Sequence, residues 1–137
     1  MKTAVIYWSA TGNTEAMAQN ILQGLRDAGG EASLFNVSEI TPEEAASYDV
    51  LLLGCPAMGS EILEEDEFEP FYTQLEGKIS GKKVGLFGSY GWGDGEWMRT
   101  WQERALAAGV NVEDTLIVNQ DEDGVEACLS FGARFAA

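Results

Sequence analysis

Residues 3–28 read TAVIYWSATGNTEAMAQNILQGLRDA, and this stretch decides the fold. Its first part, Thr3–Trp8, is mostly β-branched or aromatic, which predicts a strand. From Thr14 to Ala28, apolar residues recur every three or four positions, which predicts an amphipathic helix. Gly29-Gly30 then ends the helix. A strand that passes through a short loop into a helix is the first half of a β-α-β unit.

Strand-like and helical patterns alternate over the rest of the chain. Thr41 and Glu44 form a capping box, and Pro42 at the first helical position marks the start of a short second helix. This alternation predicts an α/β fold, a doubly wound five-stranded parallel sheet in the order 2-1-3-4-5 with helices on both faces. The further predicted strands are Ala32–Val37, Val50–Cys55, Lys83–Gly88 and Val112–Val118, and the further helices Thr41–Ser47, Glu67–Ile79, Glu96–Ala108 and Gly124–Ala136.

Length and composition narrow the class of protein. With 137 residues, 45% of them hydrophobic, we expect a single domain over residues 1–137. The sequence has no histidine, so a histidine-dependent hydrolase and the usual zinc site are excluded. We therefore expect no catalytic residue and no metal, and chemistry that comes from a bound cofactor. Cys55 and Cys128 are expected to be small buried hydrophobes without a disulfide.

The charge and the termini indicate where the protein works. Twenty-three acidic residues and eight basic ones give a formal charge of −15, which disfavours nucleic acid and anionic membranes as partners. It favours a basic protein partner, although acidity can also serve solubility alone. No apolar run spans a membrane, and Met1-Lys2-Thr3 leads directly into a strand, so we expect a cytoplasmic protein.

Six of the nine residues in Glu61–Glu69 are acidic. Such a run is usually a solvated face, and part of it suits the first turn of the following helix. The run begins in a loop that we expect to bind a ligand. It therefore also predicts an electrostatic field that opposes added negative charge on the ligand and attracts a basic partner.

The loop between the first strand and the first helix resembles a phosphate cradle. A helix N-terminus offers unpaired N–H groups, and this loop adds three hydroxyls but no lysine or arginine. A phosphate there would be held by neutral donors and retained. The alternative is an ordinary Asn or Thr helix cap, and neither a Walker loop nor GxGxxG is present. The loop comprises Ser9, Ala10, Thr11, Gly12, Asn13 and Thr14.

Two more loops at the same predicted sheet edge carry large apolar residues among glycines. The thioether of Met58 and the indole of Trp92 both pack well on aromatic planes, which predicts a clamp for a flat ring. Alternatively, Trp92 packs on a neighbouring helix. Trp97 and Trp101, four residues apart, are expected in the core. The two loops are Pro56-Ala57-Met58-Gly59-Ser60-Glu61 and Ser89-Tyr90-Gly91-Trp92-Gly93.

Together these loops resemble the flavodoxin family, most closely its short-chain clostridial type. Ser-x-Thr-Gly-Asn-Thr after the first strand is the family signature. The segments GCPAMGSE, residues 54–61, and LFGSYGWG, residues 86–93, match that type almost residue for residue. The resemblance covers the whole chain and implies a flavodoxin-like fold with a non-covalently held FMN.

The resemblance also implies roles for individual residues. Met58 is expected on the inner face of the flavin and Trp92 on its outer face, with Glu61 accepting a hydrogen bond from the ring N3–H. The peptide beside Gly59 is expected to turn toward the ring N5 on reduction. Asn119, after the fifth strand, is a further expected contact.

In function, the resemblance implies a monomeric, low-potential one-electron carrier without a substrate of its own. It would cycle mainly between semiquinone and hydroquinone and serve redox enzymes with basic docking surfaces. The alternative is an NAD(P)H or quinone reductase of the same fold, which needs room above the ring, where Trp92 would stand. A receiver domain needs acids after strands 1 and 3, where Tyr7-Trp8-Ser9 and Gly54-Cys55-Pro56 stand, so that class is excluded.

Overall fold

Strands and helices alternate along the whole computed structural model, which describes residues 2–59 and 61–136. A 3-10 turn at Val37–Glu39 follows the second strand. The capping box of Thr41 and Glu44 is present, as predicted. The elements are β1 (Lys2–Tyr7), α1 (Asn13–Asp27), β2 (Glu31–Asn36), α2 (Pro42–Ala45), β3 (Val50–Gly54), α3 (Phe68–Glu76), β4 (Lys83–Tyr90), α4 (Glu96–Ala107), β5 (Asn111–Asn119) and α5 (Val125–Arg134).

The five strands form one parallel sheet in the order β2-β1-β3-β4-β5, which confirms the predicted topology. β4 is longer than predicted, because Ser89 and Tyr90 pair with Val118 and Asn119 of β5. These two residues, predicted in a loop, therefore belong to a strand that reaches the edge of the sheet.

The sheet separates two apolar cores. One core contains the inward faces of α3 and α4, including Trp97 and Trp101, which are both buried as predicted. The other lies under α1 and α5. β3 is buried along its whole length, as expected for a central strand covered on both faces. Each large side chain buried here stabilises the fold by about 1.5–3 kcal/mol.

No helix in the described parts of the chain is long and apolar enough to cross a membrane. The longest helix, α1, has 15 residues and buries one face, which contains Met17, Ile21 and Leu25. Its opposite face is polar, so the helix has the pattern of a surface element of an α/β sheet.

α1 and α5 approach each other closely where glycine replaces a side chain. A Cβ at Gly132 of α5 would lie 2.1 Å from the carbonyl oxygen of Ile21 in α1. On the other helix, a Cβ at Gly24 would lie 2.1 Å from the carbonyl oxygen of Leu129. The two helices therefore meet backbone to backbone, and a methyl group at either position would force them apart.

We expect Gly132→Ala to lower the free energy of unfolding by about 1–3 kcal/mol, the usual cost of overpacking. Urea denaturation followed by circular dichroism measures it. Gly77→Ala is the matched control, because its Cβ would meet nothing within 4 Å and its φ is −76°. Equal stability of the two variants would contradict the close helix contact.

Candidate functional site

A cleft opens at the carboxyl edge of the sheet, where β1 and β3 lie side by side. α1 follows β1 onto one face and α3 follows β3 onto the other, so the loops between them diverge. The cleft encloses about 260 Å³. Its lining residues come from four loops and are Ser9, Ala10, Thr11, Thr14, Pro56, Ala57, Met58, Ser89, Tyr90, Gly91, Trp92 and Gln120.

One end of the cleft is formed by the start of α1. The N-cap is Gly12, at φ 96°, and no side chain caps the helix, so the alternative of an Asn or Thr cap is wrong. The Ser9 hydroxyl accepts a hydrogen bond from the Gly12 N–H at 3.1 Å, and the Thr11 hydroxyl accepts one from the Asn13 amide at 3.2 Å. Each hydroxyl keeps its own hydrogen to donate. The helix start thus combines a dipole, backbone N–H groups and hydroxyl donors that suit an anion.

Thr14 and Ser89 join this end of the cleft to β4. Their hydroxyl oxygens lie 2.8 Å apart, and both side chains are buried. The bond fixes the first turn of α1 against the end of the strand.

The loop after β3 is a tight turn. The Glu61 N–H donates to the Met58 carbonyl at 2.7 Å, and the Met58 N–H donates to the Ile62 carbonyl at 3.0 Å. Among the described residues of this turn, Glu61 has a left-handed backbone, at φ 52°, and Gly59 does not. A Cβ at Gly59 would meet nothing within 4 Å. Ser60 lies outside the described residues.

The Glu61 carboxylate reaches from this turn to the loop after β4. A Cβ at Gly93 would lie 2.6 Å from its Oε1. This oxygen is buried and accepts no hydrogen bond within the described parts of the chain. A buried acceptor without a partner costs about 1–3 kcal/mol, so a ligand N–H at this position would be stabilising.

Trp92 stands at the mouth of the cleft. Its side chain is 58% exposed, so the alternative that it packs into a helix is wrong. Met58 lines the same cleft. Tyr90, beneath them, packs at a tilt against Trp97 with ring centroids 5.6 Å apart. The cleft therefore has an apolar thioether and an exposed indole, which suit the faces of a flat ring.

The structure brings eleven of the eighteen predicted site residues together in the lining of the cleft. Glu61 and Gly93 meet beside it. Asn119 points elsewhere, because its Oδ1 accepts the Asp121 N–H at 2.9 Å within its own turn. Gln120 lines the cleft instead. β5 begins one residue earlier and ends one residue later than predicted, so Gln120, and not Asn119, is the first residue after the strand.

Several acids of the run Glu61–Glu69 accept hydrogen bonds within the protein, which the composition of the run does not indicate. Glu64 is only 5% exposed, and its carboxylate accepts the N–H groups of Asp66, Glu67 and Phe68 at 2.7–2.8 Å. Glu64 therefore caps the start of α3, so at this residue the run serves the helix and is not a solvated face. Glu65 and Asp66 remain exposed.

Two further acids of the run bind to neighbouring elements. Glu67 accepts a hydrogen bond from the Trp8 indole at 3.0 Å. Glu69 makes two hydrogen bonds of 2.8 Å with Arg104 of α4, which lower the pKa of the Glu69 carboxyl. This pair therefore contributes stability above the ordinary carboxyl pKa, and the contribution is lost as the pH falls through the lowered value.

Both cysteines are free and buried. Cys55 lies directly before the loop that lines the cleft, and its Sγ accepts the Glu64 N–H at 3.4 Å. Burial raises the pKa of Cys55 to about 12 and that of Cys128 to about 11. Neither thiol is ionised near neutral pH, so neither is a nucleophile.

Comparison with known proteins gives one consistent family. The family profile described as Flavodoxin matches residues 5–132. The flavodoxin of Clostridium beijerinckii is 52% identical over 134 residues, 96% of this chain and 97% of that protein. The flavodoxin of Megasphaera elsdenii is 50% identical over 132 residues, 96% of each. The solution structure of two-electron reduced Megasphaera elsdenii flavodoxin matches with a TM-score of 0.91 and 48% identity, over 98% of each chain.

We expect neither cysteine of the folded protein to react with a disulfide reagent at pH 8, because both thiols are buried and remain protonated there. Both should react at once in urea. Ser130→Cys is the control, since it places a thiol in the last helix without removing either native one. Rapid labelling of Cys55 in the folded protein would contradict its burial.

Proposed function

The chain belongs to the flavodoxin family, and on that premise we propose that it is a low-potential one-electron carrier that cycles mainly between the semiquinone and the hydroquinone of its flavin. Flavodoxins are electron-transfer proteins that bind FMN. The observation that carries the proposal for this chain is the buried Glu61 Oε1, which accepts no hydrogen bond from the described residues, beside a cleft that Met58 and Trp92 line. We further propose that it acts as a monomeric single domain in the cytoplasm, with no substrate of its own.

The residues of the cleft fit FMN at both of its ends. We assign the phosphate to the start of α1, where Ser9, Thr11 and Thr14 supply hydroxyls. The buried Glu61 Oε1 needs an N–H donor, and the flavin ring edge has one. FMN supplies the redox chemistry, because its ring takes up and releases electrons. The other proposed contacts are Ala10, Gly12, Asn13, Pro56, Ala57, Gly59, Ser60, Ser89, Tyr90, Gly91 and Gly93.

The side chains around the cleft would make reduction difficult and the reduced protein a strong donor. No lysine or arginine lies in the phosphate loop to offset the charge of an FMN phosphate. Glu61 stands beside the cleft, and Glu96 is exposed on the helix that follows β4, while Asp94 of the preceding loop is paired with Arg99 at 3.0 Å. Negative groups within a few ångströms oppose further negative charge, most strongly where water is excluded. Met58 and Trp92 would exclude water from the ring.

Most of the basic residues of the chain lie at one edge of the sheet, whereas acidic residues lie at both. Exposed acids follow β3, β4 and β5 at the cleft edge: Glu65, Asp66, Asp94, Glu96, Asp121, Glu122 and Asp123. Six of the eight basic residues lie at the opposite edge, at strand starts, helix ends or the turn between α3 and β4: Lys2, Arg26, Lys78, Lys82, Lys83 and Arg134.

This uneven distribution would orient the protein as it approaches a partner. A basic surface attracts the cleft edge more strongly than the opposite one, where acids such as Asp27 and Glu31 offset the basic residues. Ile62, 41% exposed, and Trp92 give the acidic edge an apolar centre. We therefore propose redox enzymes with basic docking surfaces as partners.

Stepwise anaerobic reduction of the FMN-loaded protein tests the proposal. We expect two resolved one-electron steps, with a long-lived semiquinone absorbance between them. The protein should also be inert to NADH alone. Direct two-electron bleaching by NADH would overturn the proposal and identify a reductase.

Charge reversal tests the docking edge. We expect Glu65→Lys/Asp66→Lys to slow electron transfer to a basic c-type cytochrome by about 3–10-fold at low ionic strength, through the association rate. Salt should remove the difference, because screening acts over about 8–10 Å. Stopped-flow absorbance at several salt concentrations measures both effects.

Asp27→Lys/Glu31→Lys is the matched control, because it makes the same change in net charge at the opposite edge. Equal slowing by both pairs would mean that overall charge, and not this edge, directs the encounter. Glu64 is left unchanged, since its buried carboxylate caps α3.

A further inference from the structure

Gln120 joins two loops that bind different parts of the cofactor under the proposed function. Its Oε1 accepts a hydrogen bond from the Asn13 amide at 3.1 Å. The same Asn13 nitrogen donates to the Thr11 hydroxyl at 3.2 Å. One amide thus ties Gln120 directly to the phosphate loop.

On its other side, Gln120 contacts the loop that carries Trp92. Its backbone N–H donates to the Tyr90 carbonyl at 2.9 Å. Its Nε2 also lies close to Gly91, which follows Tyr90: a Cβ at Gly91 would be only 2.1 Å from this nitrogen. The position of the Gln120 side chain and the path of the backbone at Gly91 therefore depend on each other.

The hydrogen-bonded Asn13–Gln120 pair, called the bridge below, also separates two cavities. A second cavity of about 180 Å³ lies between α1, α5 and the end of β5. Gln120 and Ser89 line both this cavity and the cleft, while Asn13 and Asn20 line the second cavity. The Asn13–Gln120 pair therefore stands between open spaces, where the hydrogen bond between the two amides and the contact with Gly91 hold it in place.

We propose that Gln120 is a positioning residue that couples the phosphate end of the site to the ring end. An anion at the start of α1 orders Thr11 and Asn13, Asn13 holds Gln120, and Gln120 holds the backbone of Gly91 beside Trp92. Filling either end then raises the affinity of the other, and by linkage the factor is the same in both directions. The inference rests on the proposed FMN site.

The coupling can be measured by giving the apoprotein the cofactor in two parts. Riboflavin is titrated by fluorescence quenching with and without saturating inorganic phosphate. We expect phosphate to tighten riboflavin binding to the parent by about three- to tenfold, the size of one hydrogen bond. The ratio of the riboflavin dissociation constants without and with phosphate measures this effect. In Gln120→Met, which keeps the length of the side chain but not its amide, the ratio should fall to about one.

Asn20→Met is the matched control, because it removes an amide from the second cavity and should keep the parent ratio. Asn13→Ala removes the donor at the other end of the bridge and should lose the ratio as Gln120→Met does. It also serves if Gln120→Met does not fold.

Three results would overturn the coupling. They are a parent ratio of one, an unchanged ratio in Gln120→Met, or weaker riboflavin binding in the bridge variants at a constant ratio, which would mark a purely structural role. If the parent binds FMN tightly but phosphate has no effect on riboflavin, only this inference fails. If the parent binds neither flavin, the proposed function fails as well.

Discussion

The divergence of the chain at β1 and β3 is the constraint on which the rest of the structure depends. These strands are neighbours at the centre of a parallel sheet, yet the helices that follow them cover opposite faces. The two loops must leave the same edge in opposite directions, and a cleft results without any side chain having to create it. The loops after β4 and β5 then close its far side, because their strands end at the same edge.

Backbone pairing continues past the strand ends and holds these loops in place. The Trp8 N–H donates to the Gly54 carbonyl at 3.0 Å, and the Ala57 N–H donates to the Ser89 carbonyl at 3.0 Å. The Gln120 N–H donates to the Tyr90 carbonyl at 2.9 Å. Each loop begins as an extension of the sheet, so the cleft has the rigidity of the sheet rather than of free loops. Such a frame suits a cofactor that is retained through many cycles of reduction.

The fold could be predicted from the sequence because it depends on patterns that are local. The strand order, the helix faces and the Thr41 capping box follow from periodicity and turn residues, and the structure has all of them. Contacts between segments that are distant in the sequence could not be predicted from these local patterns. Glu64 looks like any solvated acid in the sequence, and only the turn of the backbone after it brings three N–H groups to its carboxylate. Asn119 and Gln120 are chemically alike, and which of them faces the cleft depends on where β5 ends.

The close contact of Gly24 and Gly132 with the facing helix also has a consequence for how the chain is made. α1 is among the first elements to leave the ribosome, but the helix that covers it is translated about a hundred residues later. Until then, Ile21 and Leu25 can pack on the strands beneath them but lack Cys128, Phe131 and Phe135, which α5 and its C-cap supply to the same core. Long separations between contacting segments slow folding and leave apolar surface open to association. The part of this core that α5 covers therefore stays exposed on the nascent chain until translation has passed α5.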